Sequence, residues 1–281
     1  MSLRPLGPLN VAPLFAPLHR ELIALLRSLT SDMWTRPTVA GRWRVRDVAA
    51  HLLDGDLRKL AAHRDGHSLS LAGEPPQGYD DVVSLINSLN ASGVAYSERL
   101  SPRLLMDLLE FTGKWFADFT ETLDPFAPAL FPVAWAGESE SQNWMDTGRE
   151  YTERWHHQMQ IREAAGFPLL LLDDEWYGPL LSFSVRALPR TYESVIAAEG
   201  TSINVQIMDS VWRWCLVRER RAWCLYEGSL PDPAATVRIA RNDVWRLFYN
   251  ALSPASADSV VRIDGDRELA ARVIAARSVM V

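Results

Sequence analysis

Apolar residues recur at three- and four-residue steps through the first 165 positions and at two-residue steps after about position 200, and this change of period limits what the chain can build. Helices bury a stripe of period 3.6, whereas half-buried strands alternate, so the two stretches belong to different architectures. The first helix is expected over 14–29, where Leu18, Leu22, Leu25, Leu26 and Leu29 share one face. A loop with Trp34, Pro37 and Gly41 leads to a second helix, marked by Val45, Val48, Ala49, Leu52, Leu53, Leu57 and Leu60 and fading near Gly66. The Gly/Pro-rich stretch 73–78 reads as a loop, and helices over 82–100 and 102–123 follow, parted by Ser101-Pro102, a favourable helix start. Pro125, Pro128 and Pro132 forbid a long helix before 141–165, which Gly166 and Pro168 close.

Beyond Asp173 a short helix over 180–188 precedes strands at 202–208, 211–217, 222–227, 236–240 and 259–263, with helices at 243–252 and 267–277. The expectation is therefore two domains, an all-α bundle over 1–168 and an α+β domain over 169–281. All six histidines lie at or before His157, so imidazole chemistry belongs to the first.

Composition removes several classes of function. The net charge is −6 with arginine spread along the chain, which argues against nucleic acid. No apolar run approaches the roughly 18 residues of a membrane span, and four prolines in the first 17 residues interrupt any signal peptide, so a cytoplasmic location is expected. Cys215 and Cys224 are not in a redox spacing and read as packing residues.

On the 141–165 helix, Asp146, Glu150, Glu153, His157 and Gln160 fall on one stripe, opposite Gly148, Tyr151, Trp155 and Met159. Glu153 and His157, one turn apart, can reach a common ion, and His51 on the second helix can supply a third ligand beside the small Gly55. Two imidazoles and a carboxylate suit zinc first, or nickel or another first-row divalent ion, with one position open. The same spacing describes an ordinary surface helix, and His156, three residues after Glu153, could ligate in place of His157. Glu150 and Gln160 are candidates to orient His157, as is Asp54 to orient His51, whereas Asp56, Arg58, His19, His63 and His67 read as surface or helix-end residues.

The run Trp43-Arg44-Val45-Arg46-Asp47-Val48-Ala49-Ala50-His51-Leu52-Leu53, with Glu153-Arg154-Trp155-His156-His157-Gln158-Met159-Gln160, resembles the DinB-like four-helix bundles and, more narrowly, the mycothiol-dependent maleylpyruvate isomerases. The resemblance implies a divalent metal on His51, Glu153 and His157, with Gln160 beside the last, and so favours His157 over His156. It extends to a sterol-carrier-like C-terminal domain through Asp243-Val244-Trp245-Arg246-Leu247 and residues 261–271. It also implies a low-molecular-weight thiol such as mycothiol, acting by addition to a cis double bond, rotation and expulsion, or stopping at the adduct as a transferase. The small electrophilic substrate would be held by a C-terminal arginine that no motif here identifies. Two other readings stand beside it: a non-catalytic small-molecule or lipid-binding protein whose metal is structural, and a metal-assisted hydrolase with Glu150 as base.

Overall fold

The computed structural model describes residues 3–67, 78–252 and 254–280. Most of the loop expected at 73–78 lies outside them; only Gly78 is described. The chain forms two compact units. One comprises Asn10–Pro132 and Glu140–Asp173; the other comprises the chain from Asp174 onward together with Val133–Ser139 and the first nine residues. The division falls between Asp173 and Asp174, five residues past the sequence expectation, and two short earlier pieces join the later unit. The first does so by backbone pairing, because strand β1 (Arg4–Pro5) lies along β4 (Trp223–Glu227) with Arg4 opposite Glu227.

The helical unit holds α1 (Phe15–Arg27), α2 (Val45–Lys59), α3 (Tyr79–Ser97), α4 (Pro102–Glu121) and α5 (Asn143–Ala165). Helix α2 packs on α3, α4 and α5, and α1 packs on α4 and α5. Their starts follow the local chemistry. The Ser101 hydroxyl accepts from Leu104 N at 3.2 Å with Pro102 in the first turn, and Asp47 turns back to accept from Arg44 N at 2.9 Å. Gly166 closes α5 in the left-handed region, φ 78°. After Lys59, α2 widens into a π turn, Leu60–Arg64. The core joins Leu22, Leu26, Val45, Val48, Ala49, Leu52, Leu105, Leu109 and Ile161.

Two glycines mark close approaches. The His19 imidazole of α1 occupies the space a Cβ at Gly113 of α4 would take, and the Asp54 carboxylate of α2 does the same at Gly93 of α3. His19 is therefore a packing residue rather than the surface residue expected. Burial and the nearby Arg154 charge lower its pKa to about 4.

The second unit is a six-stranded sheet in the order β1-β4-β3-β2-β5-β6, with β2 (Ser202–Ile207), β3 (Arg213–Arg218), β5 (Ala235–Ile239) and β6 (Val261–Gly265). Among the described residues only the β2–β5 pairing is parallel. Helices α6 (Asp174–Ser184), α7 (Leu188–Thr191), α8 (Val244–Phe248) and α10 (Arg267–Ala275) accompany it, and Ile203, Val205, Val237, Ile239, Trp245, Phe248 and Val273 are buried there. A helix α9 (Pro254–Val260) fills the approach to β6, displacing that strand two residues from its expected start. Trp214 and Trp223 are buried in the strands, as their alternation requires, while Trp212 is half-buried just before β3. Among the described residues no helix is long and apolar enough to cross a membrane.

His19 binds its proton less readily folded than unfolded, so its contribution to stability is complete above about pH 6.5 and fades as pH falls toward 4. Denaturant titrations at pH 7.5 and 5 should show His19→Gln losing less stability on acidification than wild type, by on the order of 1 kcal/mol once partial solvent screening of the ring is allowed for.

Candidate metal centre

Helix α5 is buried on nearly every side. Its apolar stripe, Tyr151, Trp155 and Met159, is fully enclosed, and on the polar side Asp146, Glu150, His156, His157 and Gln160 are buried and Glu153 is half-buried. The surface-helix reading therefore fails, and each of these polar groups needs a partner inside the protein.

Three side chains converge where α2 faces α5. His157 Nε2 lies 3.4 Å from Glu153 Oε2, and His51 Nε2 lies 3.8 Å from the same oxygen. One donor atom from each of the three falls within 4.8 Å of the others. The His51 and His157 rings meet at 4.7 Å, and Trp43, from the turn before α2, covers both at 4.9 and 6.1 Å. His157 Nδ1 donates to Gln160 Oε1 at 2.8 Å, which orients the ring and turns Nε2 toward Glu153. His51 Nδ1 is buried with no hydrogen-bond partner, so its tautomer is set by whatever Nε2 meets.

The donor set fits a divalent cation. Ligand atoms about 2.1 Å from a tetrahedral ion stand roughly 3.4 Å apart, which the two measured separations approach without rearrangement. Burial keeps His51 below its ordinary pKa against the opposing pull of Glu153, so it is the neutral form that faces the site. Burial alone would raise Glu153, but hydrogen bonds to His157 and His51 outweigh it and hold the carboxyl well below the usual range. Among His, Cys, Asp and Glu of the described residues, only this cluster has such geometry.

His156 turns elsewhere: its Nδ1 donates to Thr152 O at 2.7 Å, and burial together with His157 lowers its pKa to about 3. Glu150, expected to orient the site, instead meets cations, with Arg149 at 2.8 Å, Arg154 at 3.5 Å and Lys59 at 3.7 Å. Burial would raise its carboxyl, but those charges hold it down, which makes it a poor general base. Lys59 also pairs with Asp146, and Arg154 with Asp56, which accepts from Thr112 Oγ1 at 2.9 Å. Asp56 is thus a core residue and not the solvent-facing one expected, and burial pushes its pKa up to about 6 despite Arg154. Arg58 is held by Asp54 at 2.8 Å and donates to Asn90 Oδ1 at 2.7 Å, so Asp54 serves Arg58. Helical spacing alone missed this network; its signal was three acids and three bases at three- to four-residue steps on facing stripes of α2 and α5.

The model of the mycothiol maleylpyruvate isomerase N-terminal domain matches residues 15–162, more than half of the chain and all five long helices but the last three residues of α5. The chain belongs to the mycothiol maleylpyruvate isomerase family. The crystal structure of the mycothiol-dependent maleylpyruvate isomerase has the same fold, with a TM-score of 0.56 at 13% identity over 90% of this chain and 91% of that one. A histidine-to-alanine mutant of that enzyme gives 0.54 at the same identity and coverage. No curated protein matches the sequence. The match to the isomerase family covers the elements that carry all three converging side chains, α2 and α5.

Two outcomes are expected. Metal analysis of purified variants should find His51→Ala and His157→Ala depleted and His156→Ala loaded, while Gln160→Leu weakens affinity about 10- to 100-fold; equal metal in all four would refute the assignment. Arg154→Met should lower unfolding free energy by about 3–5 kcal/mol in urea titrations, since it strands a buried carboxylate.

Proposed function

We propose that the chain is a thiol-dependent isomerase whose site is a divalent metal centre on His51, Glu153 and His157, with mycothiol as the thiol and a small unsaturated acid such as maleylpyruvate as substrate. The convergence of two imidazole Nε2 atoms and one carboxylate oxygen in a member of this family carries the reading. A bound divalent ion supplies a Lewis-acid position at which a thiol ionises near neutral pH. The chain's own residues prepare that position. Gln160 holds the His157 proton on Nδ1, Glu153 contributes negative charge, and the Trp43 ring excludes water from one side of both imidazoles. The Glu150 carboxylate, saturated with cations, leaves the hydrolytic alternative without a base.

The test combines binding and turnover. Metal-loaded protein should gain several degrees of melting temperature with millimolar mycothiol, and should isomerise maleylpyruvate only when thiol and metal are both present, leaving the thiol unconsumed. His51→Ala should lose at least about 100-fold in rate. Stoichiometric loss of thiol into an adduct would replace isomerase with transferase. A metal-loaded protein that mycothiol does not shift would remove the thiol from the scheme while leaving the metal centre standing.

A further inference from the structure

Helix α4 is apolar on two faces. One, with Leu105, Leu109 and Phe116, lies in the core of its own unit. The other is exposed: Leu104 at 46%, Leu108 at 36%, Phe111 at 61% and Trp115 at 48%. Scattered exposed apolar residues are ordinary, but these four follow one another at steps of four, three and four, the spacing of a coiled-coil seam. The stripe runs for about 16 Å along the helix. Phe111 and Trp115 pack at 6.3 Å between ring centroids and Arg64 lies 5.9 Å over Trp115, so the aromatic end is ordered rather than splayed.

The charges beside the stripe identify what fits it. Asp107 and Lys114 flank the same side, seven residues apart; Asp107 has no ion-pair partner among the described residues, and Lys114 makes an exposed pair with Asp118 of its own helix at 2.6 Å, a weak one that a partner's carboxylate can share. Further round on the same side Glu110 pairs with Arg27 at 2.6 Å, and the opposite side is the buried flank of Leu105, Thr112 and Phe116. If two such helices pack antiparallel about a two-fold axis, Leu104 faces the partner's Trp115 and Leu108 faces the partner's Phe111. In that register the flanking positions also meet, and each Asp107 faces the partner's Lys114, giving two opposite-charge pairs per dimer. A parallel pairing would set each charged flank against the partner's opposite flank, at Leu105 and Thr112, where no charge is available to meet it. The face is therefore self-complementary in one orientation.

We infer that the exposed α4 stripe is a homodimer interface in which a second copy of this chain packs antiparallel, Asp107 of each copy opposite Lys114 of the other. The four side chains bury on the order of 400 Å² per copy, and the charged flanks bring the total near the lower end of specific interfaces, roughly 1,200 Å². Interfaces at this end of the range are commonly weak and reversible, so the dimer is expected to dissociate at micromolar concentration.

Sedimentation velocity of the full chain from about 1 to 200 µM at low salt tests this. Wild type should pass from monomer to dimer across that range. Phe111→Glu should raise the dissociation constant by at least about 10-fold. Asp107→Lys should weaken the dimer about 5- to 10-fold by setting like charges together, and Asp107→Lys combined with Lys114→Glu should restore it to within about twofold of wild type. The charge-swap arm is independent of whether Phe111→Glu folds well. A wild type that stays monomeric throughout would assign the stripe to a different partner and end the proposal. So would a dimer indifferent to Phe111→Glu, or a charge reversal that the double swap does not repair.

Discussion

Everything in the helical unit answers to the burial of α5. A helix enclosed on both its apolar and its polar sides cannot leave carboxylates to water, so each must be matched within the protein. Asp146 and Glu150 are matched by permanently charged groups, Lys59, Arg149 and Arg154. Glu153, one turn further along, has imidazoles as its nearest partners. The same helix face thus changes from a closed electrostatic lattice to one carboxylate between two imidazoles, a set that could take up a cation where the lattice could not.

Much of this was legible in the sequence. The five long helices and most strands were readable because a buried stripe imposes its own period, and the three converging residues followed from a one-turn Glu-His pair and a histidine on a second helix once the family resemblance had picked His157. What escaped has physical reasons. Strand β1 is two residues long, too short for alternation to register, and it draws the N-terminus to the sheet by hydrogen bonds that no side-chain pattern encodes. A helical wheel reports which residues share a face, but not whether that face is covered, so Asp56 and Glu150 read as solvated or as helpers of the metal. Beyond Lys59 the wheel fails outright, since the π turn resets the angular register and carries His63 onto Phe119.

Spacing left the two adjacent histidines equal, the family resemblance favoured His157, and the structure supplies a physical reason. His156 and His157 are equivalent in spacing arguments, yet their Nδ1 atoms find different acceptors, a backbone carbonyl one turn back for the first and the Gln160 side chain for the second. Only the second arrangement leaves Nε2 at Glu153. Similarity at 13% identity establishes a shared fold and is silent on such details, so the chemistry rests on these side-chain contacts and not on the likeness of backbones.

The missing side chain at Gly113 has a mechanical reading as well. With the His19 ring seated in that gap, α1 cannot creep along α4 by a turn without driving the imidazole into Leu109 or Ala117. One absent methyl group therefore indexes two rods against each other like a detent, setting axial alignment in a bundle whose leucine ridges would otherwise tolerate slippage.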